Sequence, residues 1–124
     1  MVQKRILITD DEPDLLEILE AVIDKPDWEI VTTGDGKTTI EQLEHNDFDL
    51  IILDLLMPEP DGFEVLKWIR KTKRTKELPV VVISAYCHDT TIETVMELGA
   101  NHFLKKPIGF SDFKTAVNRF VLQN

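Results

Sequence analysis

Two short runs, Leu50–Leu53 (LIIL) and Pro79–Ile83 (PVVVI), constrain this chain more than any other feature. Each is continuously apolar, with no alternation, as expected for strands covered on both faces. Three further β-rich runs accompany them: Arg5–Thr9, Trp28–Thr32 and Asn101–Leu104. Between them lie helix-like segments. Leu15, Ile18, Leu19 and Val22 recur at the spacing of one helical face, and Pro13 suits the first turn of that helix. Thr38–Glu44 is a weaker helix after the Gly34-Asp-Gly36 turn. Gly62–Lys71 carries Val65, Leu66 and Ile69 on one face. A helix around Thr90 has a capping-box pattern with Glu93, and Gly99 is placed to end it. Ser111 is placed to cap a last helix carrying Phe113, Ala116, Val117 and Phe120. Five strands in strict alternation with five helices predict an α/β fold: a parallel sheet with helices on both faces.

The 124 residues suffice for one domain, and a 43% hydrophobic content can fill one core. The formal net charge of −9 opposes direct binding to a nucleic-acid backbone and adhesion to anionic membranes. It suits a cation or a basic partner. No apolar run approaches the ~20 residues a spanning helix needs, and the N-terminal MVQKRILITDDEP has no signal-peptide core. The single cysteine, Cys87, allows no intrachain disulfide, which fits a reducing, cytoplasmic setting.

In open parallel sheets, sites lie outside the carboxyl ends of the strands. Those ends are rich in chemistry here. Strand one runs into Asp10-Asp11-Glu12, strand three into Asp54, strand four into Ser84-Ala85, and strand five into Lys105-Lys106-Pro107. Carboxylates ~4 Å apart repel by about 4 kcal/mol at an effective dielectric of ~20, so such a rim invites a cation. An all-oxygen donor set suits Mg²⁺, whereas zinc favours His or Cys, which are absent from these ends. A hydroxyl and an ammonium beside a nucleophilic carboxylate read as a phosphoryl acceptor.

These residues resemble the receiver domains of two-component response regulators, close in length to the chemotaxis-type single-domain regulators. ILITDDEP, LDLLMPEPDG, VVVISA and FLKKP carry the resemblance, in order, at the ends of four strands. It spans essentially the whole chain. It implies one receiver domain over 1–124 with a flavodoxin-like, doubly wound (βα)5 fold and strand order 2-1-3-4-5. It implies that Asp54 takes a phosphoryl group from a sensor histidine kinase or histidine phosphotransfer protein. Mg²⁺, or Mn²⁺ in its place, would be held by Asp11, Asp54 and the Leu56 backbone carbonyl, with Asp10 acting through water. Ser84 is the switch hydroxyl. Lys106 rather than Lys105 is the phosphoryl-binding lysine, because it directly precedes Pro107 in a bond that is usually cis in the family. Ala85 is the small residue that admits the phosphodonor, and Phe103 the switch aromatic. The surface of helix four, strand five and helix five would then meet a target protein or output domain. The resemblance implies a signalling phosphoacceptor that catalyses only its own phosphorylation and slow dephosphorylation, as a monomer or a phosphorylation-dependent dimer.

Some positions depart from the pattern. Thr9 stands where the family more often has an aliphatic residue, and reads as a tolerated strand residue. Leu56 and Tyr86 bring no amide or carboxylate to orient water, which predicts a long-lived phosphoryl group. Phe103 lacks a hydroxyl, so its inward rotamer is less opposed than a tyrosine's. Cys87-His88 offers too few ligands for a metal site. His45, His102, Trp28 and Trp68 read as surface or packing residues, and Lys71, Lys73, Arg74 and Lys76 as a solvated loop. The helix-one stripe reads as core packing, although some receivers dock their kinase on that helix. The rival readings are a receiver cut from a larger regulator with a DNA-binding or enzymatic output and, remotely, an aspartate-nucleophile phosphatase. The phosphatase would want an aspartate where Leu56 stands. A flavin-binding redox domain would want a phosphate loop where DDEPD stands.

Overall fold

A computed structural model describes residues 3–122. The elements alternate: β1 (Lys4–Thr9), α1 (Pro13–Ile23), β2 (Trp28–Thr33), α2 (Gly36–His45), β3 (Leu50–Asp54), α3 (Gly62–Lys71), β4 (Val80–Ser84), α4 (Asp89–Glu97), β5 (His102–Lys105) and α5 (Phe110–Leu122). The five strands form one sheet in the order β2-β1-β3-β4-β5, every neighbouring pair parallel. This is the flavodoxin-like, doubly wound arrangement expected from the sequence.

The strand pleat divides the apolar residues between two cores. Ile6, Ile8, Leu50, Ile52, Val81 and Ile83 face Leu19 and Ile23 of α1 and Phe113, Val117, Phe120 and Val121 of α5. Leu7, Ile51, Leu53, Val80 and Val82 face Leu43 of α2, Val65, Leu66 and Ile69 of α3 and Val95 of α4. β3 and β4 are buried at every residue. Each fully buried aliphatic side chain contributes about 1.5–3 kcal/mol relative to exposure. The register aligns the strand exits: Thr9 pairs with Leu53, Asp54 with Ile83, and Ser84 with Lys105.

Two glycines have steric reasons. A Cβ on Gly62 would collide with the Asp54 carbonyl and the Leu55 backbone, so α3 starts tight against the exit of β3. Gly99, at φ +108°, follows the α4 C-cap as the sequence predicts.

Three local expectations give way. The buried stripe of α1 is turned by one position: Leu16 and Ile23 join Leu15, Leu19 and Val22 against the core, and Ile18 is 44% exposed. α4 starts at Asp89 with His88 as N-cap, so the Thr90–Glu93 box does not form. Ser111 is the second residue of α5 rather than its cap. The capping box lies instead at α3, where Asp61 accepts from the Glu64 amide at 3.0 Å and the Asp61 amide donates back to Glu64 at 3.5 Å.

Asp35 caps α2 by accepting from the Thr38 amide at 2.7 Å. That backbone hydrogen bond, ahead of the bond from the Thr38 side chain, holds its carboxyl below the usual carboxylate value. Asp35→Ala is expected to cost about 0.5–2 kcal/mol in urea denaturation at neutral pH. Because the folded pKa is depressed, this stabilisation is fully present above the unfolded value of about 4 and is lost as pH falls through the folded one. The wild-type and variant curves should therefore converge in acid. A gap that persists at low pH would contradict the assignment.

Candidate functional site

Three strand exits deliver charged side chains to one place. At the end of β3, Asp54 is 2% exposed. Its Oδ1 accepts from the Leu56 amide at 3.3 Å, and its Oδ2 lies 3.4 Å from Lys106 Nζ. Just past β1, Asp10 is fully buried. Its amide donates to the Thr33 carbonyl at 3.1 Å, and its Oδ1 accepts from the Glu12 amide at 2.9 Å. Past β5, the Lys106 amide donates to the Ser84 carbonyl at 3.0 Å, and the Lys106–Pro107 bond is cis. Lys105 points to solvent, while Lys106 turns into the cluster. Its ammonium is 2.8 Å from Asp10 Oδ2, 3.0 Å from Glu12 Oε1 and 3.4 Å from Asp54 Oδ2.

Asp54 is pushed up to about 6, by burial first and by the charge of Asp10 second. Lys106 and the Leu56 amide oppose that shift. Burial works against the charge on Lys106 as well. Its pairing with Asp10 and Glu12, and the nearby charge of Asp54, outweigh that and hold the lysine above its ordinary value.

Oxygens of Asp10, Asp11 and Glu12 lie within 4.8 Å of one another, with Asp11 and Glu12 exposed. Asp10 Oδ2 is buried without a hydrogen-bond partner; it faces Lys106 as an ion pair rather than an aligned hydrogen bond. Buried polar atoms seldom go unpaired without a reason. The carboxylates of Asp10, Asp11 and Glu12, all offering oxygen, fit a hard divalent cation such as Mg²⁺. Glu12 is the participant that the sequence placed at the strand-one exit without assigning it a role. Its place in the DDE run was the available signal, but its contact with Lys106 spans 94 positions.

The remaining residues fall around this cluster. Ser84 is fully buried, and its Oγ accepts from the Tyr86 amide at 2.9 Å. Exposed Ala85 lines a cleft of about 460 Å³ with Glu12, Leu15, Lys106, Ile108 and Phe110. Phe103 packs on the α3–α4 side of the sheet and also lines a hollow of about 410 Å³ with Leu104, Ala116 and Phe120. Leu56 and Tyr86 are 52% and 46% exposed. His88 meets Tyr86 edge-on at 5.1 Å, and neither it nor Cys87 joins a group of possible metal ligands among the described residues.

The profile described as "Response regulator receiver domain" matches residues 6–118. The chain is 36% identical over 106 residues to the response regulator GtcR of Aneurinibacillus migulanus, covering 86% of this chain and 43% of that protein. It spans about half the length of the curated relatives it matches. The phosphorylated cyanobacterial phytochrome response regulator RcpA superposes with a TM-score of 0.89 at 25% identity, over 99% of this chain and 97% of that one. The Mn²⁺-bound form of the response regulator Rcp1 gives 0.86 at 25% identity, over 96% and 95%.

Lys106→Met would leave Asp10 and Asp54 buried without a counter-charge. Breaking such a pairing is expected to cost on the order of 3 kcal/mol in urea denaturation without divalent cations. Adding Asp10→Asn should restore most of that loss. Additive effects of the two substitutions would show that Lys106 and Asp10 are not coupled.

Proposed function

Since the chain belongs to the response regulator receiver domains of two-component signalling, we propose that Asp54 is its phosphoryl acceptor and that the chain works as a phosphorylation switch. Receiver domains bind Mg²⁺ at an acidic pocket. The observation that carries the reading to these residues is the buried Asp54 carboxylate held beside Lys106 in a cluster with more carboxylates than counter-charge. Asp11, Asp54 and the Leu56 carbonyl, with Asp10 through water, would hold the cation, and Glu12 borders the same space. When bound, Mg²⁺ supplies charge neutralisation for the phosphoryl oxygens.

Asp54 attacks phosphorus with a carboxylate oxygen. A new P–O bond forms as the bond from phosphorus to the donor's imidazole nitrogen breaks, and that nitrogen keeps the electron pair. Lys106 places its ammonium against the transferred oxygens. The cleft beside Ala85 gives the donor, a sensor histidine kinase or histidine phosphotransfer protein, its way in. The Ser84 hydroxyl then turns to the new oxygens. Such a charge-assisted bond is worth roughly 1.5–3 kcal/mol, enough to shift a two-state equilibrium about 10–150-fold. Phe103 moves into the space vacated, and the α4-β5-α5 face changes for a target protein or output domain. As in the sequence reading, the switch is a cytoplasmic signalling protein; no described helix is long and apolar enough to cross a membrane. The length of its relatives favours a second reading of the same site, in which this receiver is part of a longer regulator.

Beryllofluoride with Mg²⁺ should shift the amide NMR spectrum of the wild type around Ser84, Phe103 and Lys106. Asp54→Asn should give no such shift, and a wild type that does not respond would overturn the reading. The phosphoryl group should persist for minutes or longer after donor removal, because Leu56 and Tyr86 orient no water. Loss within seconds would count against that role for these two residues.

A further inference from the structure

Thr9 is not an idle strand residue. It is fully buried at the last position of β1, directly before Asp10. Its Oγ1 donates to Met57 Sδ at 3.1 Å and accepts from Thr39 Oγ1 at 2.9 Å. Thr39 shares its single proton between Thr9 and the Asp35 carbonyl, 2.7 Å away, and lies 2.7 Å from the Thr33 hydroxyl. A buried chain of hydroxyls thus runs from the start of α2, across the ends of β2 and β1, to the loop after β3.

We propose that Thr9 is a positioning residue: its hydroxyl straps the exit of β1 to the Met57 side chain, and through it sets where the Leu56 carbonyl stands relative to Asp10 and Asp11. This rests on the phosphoacceptor reading above, which makes these groups the cation's ligands. Registered pairing of β1 with β3 ends at Thr9 and Leu53. Beyond it, the Thr9–Met57 contact joins the two exits side chain to side chain. The Leu56 carbonyl belongs to the peptide that enters Met57, whose side chain is held at Sδ and packed to 8% exposure, so the hold reaches that carbonyl through the Met57 side chain.

The chemistry lets positioning be separated from stability. A thioether is a weak acceptor and leaves little unsatisfied when it loses its donor. Thr39 would still have the Asp35 carbonyl and Thr33. Valine keeps the shape of threonine and removes only the hydroxyl. Thr9→Val should therefore fold with nearly unchanged urea stability.

The test uses the full chain as wild type, Thr9→Val and Thr9→Ser, titrated with MgCl₂ and followed by amide NMR. Hydrogen exchange of the Leu56 and Met57 amides is measured in parallel without metal. Thr9→Val should weaken Mg²⁺ binding about two- to tenfold, the equivalent of one net neutral hydrogen bond. It should speed the two amides by a similar factor, and Thr9→Ser should restore both. Unchanged affinity and exchange in Thr9→Val, or a serine variant as weak as the valine one, would overturn the proposal. A wild type that ignores Mg²⁺ would defeat the phosphoacceptor reading instead. The metal-free exchange would still decide the role of Thr9: acceleration in Thr9→Val reversed in Thr9→Ser supports the strap, and unchanged rates overturn it.

Discussion

One ammonium within reach of three carboxylates holds the mouth of this sheet together. Lys106 Nζ lies 2.8–3.4 Å from oxygens of Asp10, Glu12 and Asp54, which come from the exits of two different strands. Unit charges ~4 Å apart interact by about 4 kcal/mol at an effective dielectric of ~20. Three attractions to the lysine therefore compete with three repulsions among the carboxylates. The attractions act at 2.8–3.4 Å. Asp11 adds a fourth negative charge. The cluster is held together but left negative, and Asp54 carries the strain as a raised proton affinity caused by burial and by Asp10.

Such a cluster needs a stiff frame, since burying charge costs several kcal/mol per ion even after relaxation. The frame is the pair of cores on either side of β3 and β4, the two strands buried at every residue. Their side chains interdigitate with α2, α3 and α4 on one face and with α1 and α5 on the other. Gly62 brings the start of α3 onto the Asp54 backbone, and the Asp61–Glu64 box satisfies the amides that this helix start leaves open. The apolar strand ending in a charge is thus one device: hydrophobic burial holds a carboxylate where water cannot fully solvate it.

What could be read from sequence follows the range of the interaction. Strand and helix identities rest on local periodicity, and α3 matched its expected limits, Gly62–Lys71, residue for residue. Strand order came only with the family resemblance, because alternation alone does not choose which strands are neighbours. Capping misled for a definite reason. The same pattern of a polar residue followed three positions later by glutamate occurs at Asp61 and at Thr90, but α4 starts two residues earlier than the Thr90 box implies, with His88 as N-cap. Ile18 misled because Leu15, Leu16, Leu19, Val22 and Ile23 fit the helical period equally well, and only packing against α5 and the sheet chooses between the faces. Asp54, Lys106, Asp10 and Asp11 were legible as strand ends. Glu12 stood at the same strand end, but its contact with Lys106 was not legible, nor were the contacts of Thr9 with Thr39 and Met57, since these partners lie on other elements.

The topology also says on which side a change at Asp54 can be felt. New charge there acts first on Lys106, whose amide is bonded to the Ser84 carbonyl, so the disturbance enters the β4–β5 pair. β4 is locked, buried at every residue and paired on both sides. β5 is an edge strand with one neighbour, and none of its four residues is fully buried. Moving an edge strand breaks fewer contacts than moving a central one, so compliance lies toward β5. Phe103 sits on that strand, three residues before Lys106; it packs against the core and also lines an open hollow. β2, the other edge, meets the cluster through the Asp10 amide bonded to the Thr33 carbonyl, but none of the charged residues around Lys106 comes from it. The origin of Lys106 at the exit of β5, an edge strand with one neighbour, is thus the physical argument for a readout on the β5 side.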